Sequence, residues 1–195
     1  MHIEQFVMAY QVEQDRLRAM LPEDFSSLRP VLRINAELRG RAGEETVYLE
    51  LNTPVEGRGK RGWLNVANWQ SPVFSYKRQG KATTFRSEFL EITYTAVGIT
   101  GGCPAEGDNA GCFFLPDGFV PAETIGENKE FCDCTFAWHF APGDAQGEMV
   151  GGKTLPAIPT ESKHQYPREP LTPQGAARIP CEQILGSYVV RFQRP

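Results

Sequence analysis

One segment matches the pattern of a phosphate-binding loop, in which the amides of a glycine-rich turn hold phosphate groups. It reads GEMVGGKT from Gly147 to Thr154, and Lys153 would reach the phosphate oxygens. That chemistry needs a helix directly after the loop, so that the helix N-terminus faces the phosphates. The residues that follow are LPAIPT, and their prolines exclude an immediate helix. The sequence therefore favours a plain loop over a nucleotide site.

His139 is a candidate general base. It shares one face of a predicted strand with Asp133 and Thr135, so it could accept a proton if that face lines a cavity. The alternative is a hydrogen-bonded structural histidine near the end of a strand. The residues alone leave both interpretations open, and the second is the more common role of a single histidine.

A metal site would use Cys103, Cys112, Cys132 and Cys134 as ligands. Zinc ligands usually come in pairs separated by about two to four residues, a spacing that Cys132 and Cys134 do not have. Both also lie on the apolar face of a predicted strand, while the residues between them point to the other face. On an apolar face a thiol behaves as a small hydrophobic group. We therefore predict reduced structural thiols, no metal and no cofactor. The five cysteines are Cys103, Cys112, Cys132, Cys134 and Cys181.

Strands must position most of these side chains, because runs of β-branched and aromatic residues dominate the chain. An amphipathic helix is expected from Glu13 to Leu21, ended by Pro22, and a second short helix between Pro180 and Gly186. The predicted fold is α+β: a mostly antiparallel sheet, barrel-like or cone-like, with a few short helices. The predicted strands are Val31 to Leu38, Val47 to Asn52, Gly62 to Trp69, Glu88 to Val97, Phe131 to Phe140 and Ser187 to Arg194.

Alternation within the second strand separates an apolar side from a polar side. Val47, Leu49 and Leu51 form the apolar side, while Tyr48, Glu50 and Asn52 point the other way. In a barrel, that polar side faces either water or a polar interior. Two segments without periodicity, Gly98 to Gly111 and Ala141 to Pro180, are predicted to be long loops.

Composition limits the classes of function. The 195 residues suit one domain, residues 1–195, and hydrophobic residues at 41% are enough for a core. A net charge of -4 gives no basic surface for nucleic acid. No apolar run approaches the roughly 20 residues that cross a bilayer, so we expect a cytoplasmic protein without a membrane partner.

The order of features from Gln11 to about Asn68 resembles acetoacetate decarboxylase and its relatives. The predicted helix ends in LRAMLPEDF, similar to the Leu-Arg and Leu- or Val-Pro-Glu turn of that family. A strand follows, and YLELNTPV from Tyr48 to Val55 is similar to the family's Tyr-x-Glu strand and Ile-Pro-Val step. The glycine-rich segment Gly59 to Val66 then leads into an aromatic strand.

The resemblance implies a β-rich barrel or cone with a buried cavity, and decarboxylation of a β-keto acid through a lysine Schiff base. Glu50 matches the cavity glutamate, with Tyr48 beside it for substrate binding. In SYKRQG, Lys77 is the nearest equivalent of the nucleophile and Arg78 of the adjacent cation. A nearby cation favours the neutral amine that must attack a carbonyl; acetoacetate decarboxylase itself is the standard example of this effect. Relatives form homo-oligomers, so self-association is expected by analogy.

Three functions remain open at this point. The first is a Schiff-base lyase acting on a keto acid or related carbonyl compound. The second is a non-catalytic protein that binds such a small molecule; the missing proline before Lys77 and the missing Gly-Arg-Glu favour this function. The third is an interaction module that uses its two long loops. In a regular strand Lys77 and Arg78 would point to opposite faces. The alternative is that Lys77, Arg78 and Lys81 form a solvated turn between strands.

Overall fold

The computed structural model describes residues 1–102, 111–115, 117–122, 128–141 and 166–195. Strands make up most of this part of the chain, and its two helices, α1 (Gln14–Arg18) and α2 (Pro173–Ala177), are short. The strands are β1 (His2–Gln11), β2 (Phe25–Ser27), β3 (Val31–Arg39), β4 (Thr46–Gly57), β5 (Lys60–Gln70), β6 (Ser75–Gln79), β7 (Ala82–Arg86), β8 (Leu90–Gly101), β9 (Cys112–Leu115), β10 (Gly118–Pro121), β11 (Lys129–Trp138) and β12 (Gln183–Gln193).

All these strands belong to one sheet, in the order β10-β9-β5-β4-β3-β1-β12-β11-β8-β7-β6, with β2 paired to β4. Every pair is antiparallel except β5 with β9. The predicted mostly antiparallel sheet with short helices is confirmed. The order ends at β10 and β6. These two end strands do not pair with each other within the described residues, so the sheet seen there is open and does not close into a barrel.

The sheet folds over so that its two halves pack against each other. Phe6 on β1 lies 5.2 Å from Phe85 on β7 and 5.3 Å from Tyr94 on β8, measured between ring centroids. Trp69 on β5 lies 5.3 Å from Phe89, just before β8. The half formed by β1, β3, β4 and β5 therefore shares one apolar core with the half formed by β6, β7, β8 and β11.

Helix α1 follows from its capping and from one buried face. The side chain of Glu13 accepts hydrogen bonds from the backbone amides of Asp15 and Arg16, which otherwise lack partners at a helix start. Leu17 is buried inside the helix, and Met20 and Leu21 are buried in the turn that follows. The expected apolar face is thus confirmed, in a helix shorter than predicted.

The structure corrects two of the predicted elements. The expected helix between Pro180 and Gly186 is wrong, because Gln183 to Gly186 belong to β12 and pair with the end of β1. Lys77 and Arg78 do not form a turn. They lie in the regular strand β6, and the turn to β7 is made at Gly80, whose φ of 60° suits glycine.

Most of the predicted loop from Ala141 to Pro180, including the phosphate-loop pattern at Gly147 to Thr154, lies outside the described residues. The helix α2 occupies part of the remainder. The first four residues of Gly98 to Gly111 belong to β8, and most of the other residues of that segment are not described. Among the helices that are described, none is long and apolar enough to span a membrane.

Candidate functional site

One half of the sheet has a second buried surface, on the side opposite the core. In β3 the residues Leu32, Ile34, Ala36 and Leu38 face the core, so the residues between them point away from it. We call this second surface the polar face. Several of its polar side chains are nevertheless almost fully buried, namely Gln5 on β1, Arg33, Asn35 and Glu37 on β3, Asn52 on β4 and Asn65 on β5.

Glu50 lies at the centre of the polar face and orients three neighbours. Its Oε1 accepts hydrogen bonds from Nδ2 of Asn35 at 2.8 Å and Nδ2 of Asn52 at 2.9 Å. Its Oε2 accepts one from the Tyr48 hydroxyl at 3.1 Å. Burial and the nearby Glu50 carboxylate raise the pKa of Tyr48, so its hydroxyl stays protonated and keeps donating. Glu50 and Tyr48 are both half-buried, so they are the accessible part of this cluster.

A chain of amides extends the cluster onto β5. Nδ2 of Asn65 donates to Oδ1 of Asn52 at 2.9 Å, and Nδ2 of Asn68 donates to Oδ1 of Asn65 at 3.3 Å. A β-bulge opposite Leu51 and Asn52 makes this possible, because it places Asn65 and Asn68 on one side of β5 although they are three residues apart. Asn35 Oδ1 is buried and has no hydrogen-bond partner within the described part of the chain.

Two nearly buried cations lie on the same side of the sheet: Arg33 on β3, and Lys129 on β11 in the other half. The Arg33 guanidinium stacks 3.6 Å from the ring centroid of Trp63 and is nearly buried. The Lys129 ammonium lies 4.6 Å from the ring centroid of Tyr188, and Lys129 is only 8% exposed. Tyr188 pairs with Val7, and Val7 with Asn35, so Lys129 is on the same side of the sheet as Glu50. A nearly buried lysine is rare enough to mark a position of interest.

The structure separates Lys77 and Arg78 from Glu50. Arg78 points to the core side of β6, where its guanidinium lies 2.5 Å from the Glu4 carboxylate and 3.7 Å from that of Glu45. Lys77 is exposed, and as the neighbour of Arg78 in a strand it points to the opposite face, away from the core. Glu50 also points away from the core, but it lies on the other half of the sheet. Glu50 and Tyr48 are therefore brought together, and the other two candidates lie elsewhere. The catalytic roles of Lys77, Arg78 and Glu50 stay predictions.

The remaining candidates do not form a site within the described residues. His139 follows β11, is exposed, and its backbone amide donates to the carbonyl of Phe89. Asp133 and Thr135 are exposed beside it, so that face of β11 meets solvent. No group of three potential metal ligands occurs in the part of the chain that the structure describes. Cys103 lies outside that part. Burial raises the pKa of Cys132 to about 11 and that of Cys134 to about 12, as expected of structural thiols.

Sequence reasoning missed Arg33, Asn35 and Lys129. For the two β3 residues a signal existed, because LRINAELR alternates apolar and polar residues as regularly as the following strand does. Lys129 carried no such signal. Its position on the same side of the sheet as Glu50 depends on β11 pairing with β12, and β12 with β1, contacts between residues far apart in the sequence.

The sheet order, the short helices and the buried polar surface place the chain among β-sheet domains in which one open sheet folds over on itself. Comparison with solved structures shows that the chain has the acetoacetate decarboxylase-like fold. It matches acetoacetate decarboxylase from Legionella pneumophila with a TM-score of 0.64 and 13% identity, over 98% of this chain and 81% of that one. The predicted resemblance is thus confirmed at the level of fold.

Two further solved structures agree. The enduracididine biosynthesis enzyme MppR, complexed with pyruvate, matches with a TM-score of 0.58 and 11% identity, over 97% of this chain and 84% of that one. An acetoacetate decarboxylase-like enzyme from Sphingomonas wittichii RW1 matches with a TM-score of 0.55 and 11% identity, over 97% and 87%. The sequence itself matches no known family model and no curated protein.

Proposed function

We propose that this protein binds a small keto acid, or a related carbonyl compound carrying a carboxylate, on its polar face at Glu50. The observation that carries the proposal is the half-buried Glu50 carboxylate fixed by Asn35, Asn52 and Tyr48. Buried polar groups are costly to a fold, and a connected network ending at an accessible edge is typical of a binding site.

The guanidinium of Arg33 supports a ligand that carries a carboxylate, and the amide of Asn68 supports a carbonyl group. Arg33 pairs with Asn52 across β3 and β4, so its positive charge lies beside the Glu50 cluster and would hold a carboxylate. Asn68, half-buried at the end of the amide chain, offers a donor to a carbonyl oxygen. The pyruvate bound to the structural neighbour MppR belongs to the same chemical class.

Glu50→Gln is expected to weaken the binding of acetoacetate or pyruvate by about tenfold, which corresponds to about 1.4 kcal/mol. The new amide would place an NH2 group opposite either the Tyr48 hydroxyl or the two asparagine amides, and would so disorder the cluster. Isothermal titration calorimetry measures the change in Kd, and circular dichroism checks the fold. Glu88→Gln, at an exposed position, is the matched control. Equal affinities for the parent protein and Glu50→Gln would contradict the proposal.

Schiff-base catalysis is the second candidate function, and the burial of Lys129 favours it, on the same side of the sheet as Glu50 but four strands away. In this reaction Nζ of the lysine attacks the ketone carbon, and water leaves to give an iminium. The bond between the α-carbon and the carboxylate then breaks and carbon dioxide leaves. The electron pair of that bond moves toward the iminium nitrogen and gives an enamine. Protonation and hydrolysis release the ketone and the free amine. The sequence resemblance assigns this amine to Lys77, whereas burial singles out Lys129 on β11.

Borohydride trapping distinguishes the two lysines. After incubation with acetoacetate and borohydride, we expect one covalent adduct, found by peptide mass mapping on Lys129. Lys129→Arg keeps a cation over Tyr188 and should abolish the adduct, while Lys77→Arg should leave it unchanged. An adduct on Lys77 would place the chemistry on β6. Binding without any adduct would mean that the protein binds its ligand and does not catalyse this reaction.

A further inference from the structure

Arg39, the last residue of β3, lies on the polar face beside the Glu50 cluster. Its guanidinium stacks on the ring of Tyr48, with Cζ 3.8 Å from the ring centroid. The hydroxyl of the same ring donates to Oε2 of Glu50 at 3.1 Å. Arg39 is therefore separated from the carboxylate at the centre of the proposed site by a single side chain.

Two contacts hold the guanidinium of Arg39 in one orientation. Its Nε donates to Oε2 of Glu37 at 2.6 Å, and its plane lies on the Tyr48 ring. Within the described part of the chain, Nη1 and Nη2 bond no acceptor, and 27% of the side-chain surface is exposed. These two nitrogens thus form a fixed pair of donors that a ligand can reach. A carboxylate binds such a pair through two parallel hydrogen bonds.

Glu37 does not neutralise Arg39 alone. The carboxylate of Glu37 also accepts two hydrogen bonds from the guanidinium of Arg194, each at 3.1 Å. One carboxylate is therefore shared by two guanidinium groups, and one positive charge of these three groups has no opposite charge within the group. An anionic group of a ligand would supply that charge at Nη1 and Nη2 of Arg39.

Arg39 and Arg33 lie on opposite sides of Glu50 along the sheet. Arg39 lies over Tyr48, whereas Arg33 pairs with Asn52. Glu50 lies between Tyr48 and Asn52 in β4. A ligand whose carbonyl group lies at Glu50, and whose first carboxylate points toward Arg33, therefore extends toward Arg39 at its other end.

We propose that the ligand is a keto dicarboxylate, and that Arg39 binds its second carboxylate. This inference rests on the proposed function, since it assumes that the keto acid group lies at Glu50. It narrows the class of ligand, because a monocarboxylate such as pyruvate leaves the free nitrogens of Arg39 unused. Arg39 is then a residue that determines specificity, because it contacts the end of the ligand remote from the carbonyl group.

Matched pairs of keto acids test this inference. α-Ketoglutarate and α-ketoadipate carry a second carboxylate where α-ketovalerate and α-ketocaproate, of equal chain length, end in a methyl group. Isothermal titration calorimetry measures the four affinities. We expect at least one diacid to bind the parent protein about fivefold more tightly than its matched monoacid, as one partly exposed ion pair predicts.

Variants separate recognition of the second carboxylate from general effects. Arg39→Gln should abolish the preference for the diacid while changing monoacid affinity by less than about twofold. Arg86→Gln, at an exposed arginine on β7, is the matched control and should keep the preference. Equal binding of diacids and monoacids to the parent protein, or an equal loss of both with Arg39→Gln, would overturn this inference and leave the proposed function in place. Binding of no keto acid would overturn the proposed function and this inference with it.

Discussion

Phe85→Ala is expected to lower the free energy of unfolding by about 3–5 kcal/mol, the usual cost of removing a large buried aromatic side chain. Phe85 has no exposed surface, and its ring centroid lies 5.2 Å from that of Phe6 and 6.1 Å from that of Tyr94. It therefore lies at the contact between the two halves of the sheet, and its removal leaves a cavity there. Urea unfolding followed by fluorescence measures the change.

Phe119→Ala is the matched control for this prediction. Phe119 lies on β10, at one end of the sheet, and is 45% exposed. Its removal should change the free energy of unfolding by about 0.5 kcal/mol or less, as for most surface substitutions. Equal losses for the two variants would mean that the contact between the two halves of the sheet contributes little to stability.

Glu37→Ala is the second substitution with a large expected effect, about 3 kcal/mol of unfolding free energy. Oε1 of Glu37 accepts from Gln5 at 2.9 Å and from Arg194 at 3.1 Å. Oε2 accepts from Arg39 at 2.6 Å and from Arg194 at 3.1 Å. One buried carboxylate thus joins β1, β3 and the residue after β12. Both arginines keep 27% of their side-chain surface exposed, which puts the expected cost at the lower end for buried pairs.

The pH dependence of stability provides a separate test of Glu37. Burial alone would raise the pKa of this carboxyl group, but hydrogen bonds and the charges of Arg194 and Arg39 lower it below the ordinary value of 4.5. The stabilisation is therefore fully present above pH 4.5 and is lost as the pH falls through the lowered pKa. Curves for the parent protein and Glu37→Gln should converge in that acidic range. A constant gap between them down to pH 2 would contradict this assignment.

Local patterns predicted much of the sheet, and they failed where the sequence does not alternate or where distant pairing determines the structure. The alternation of Val47 to Asn52 correctly separated the core side of β4 from the polar side. Strand β1 was missed because FVMAY is apolar without alternation, as is typical of a strand covered on both sides. Near the other end, Pro180 and Gly186 resemble helix boundaries, but pairing with β1 determines the structure there.

The site was predictable only in part, because several of its residues meet only through pairing between distant strands. Glu50 and Tyr48 could be placed together because they are two residues apart in one strand. The inclusion of Asn65 and Asn68 depends on a bulge, and that of Lys129 on two successive strand pairings, neither of which leaves a local trace in the sequence. Family resemblance directed attention to Lys77 and Arg78. The regular geometry of β6 then turned their side chains to opposite faces.

The pairing of β1 with β12 has a consequence for how the protein is made. The first strand, His2–Gln11, lies between β3 and a strand that the ribosome adds only at Gln183–Gln193. During synthesis, one edge of β1 therefore stays open until β12 has emerged, more than 170 residues later. Such distant pairings also slow folding, because their entropy cost precedes their stabilising contacts. We infer that the nascent chain passes through a stage with an exposed apolar strand, when chaperones would have the most to protect.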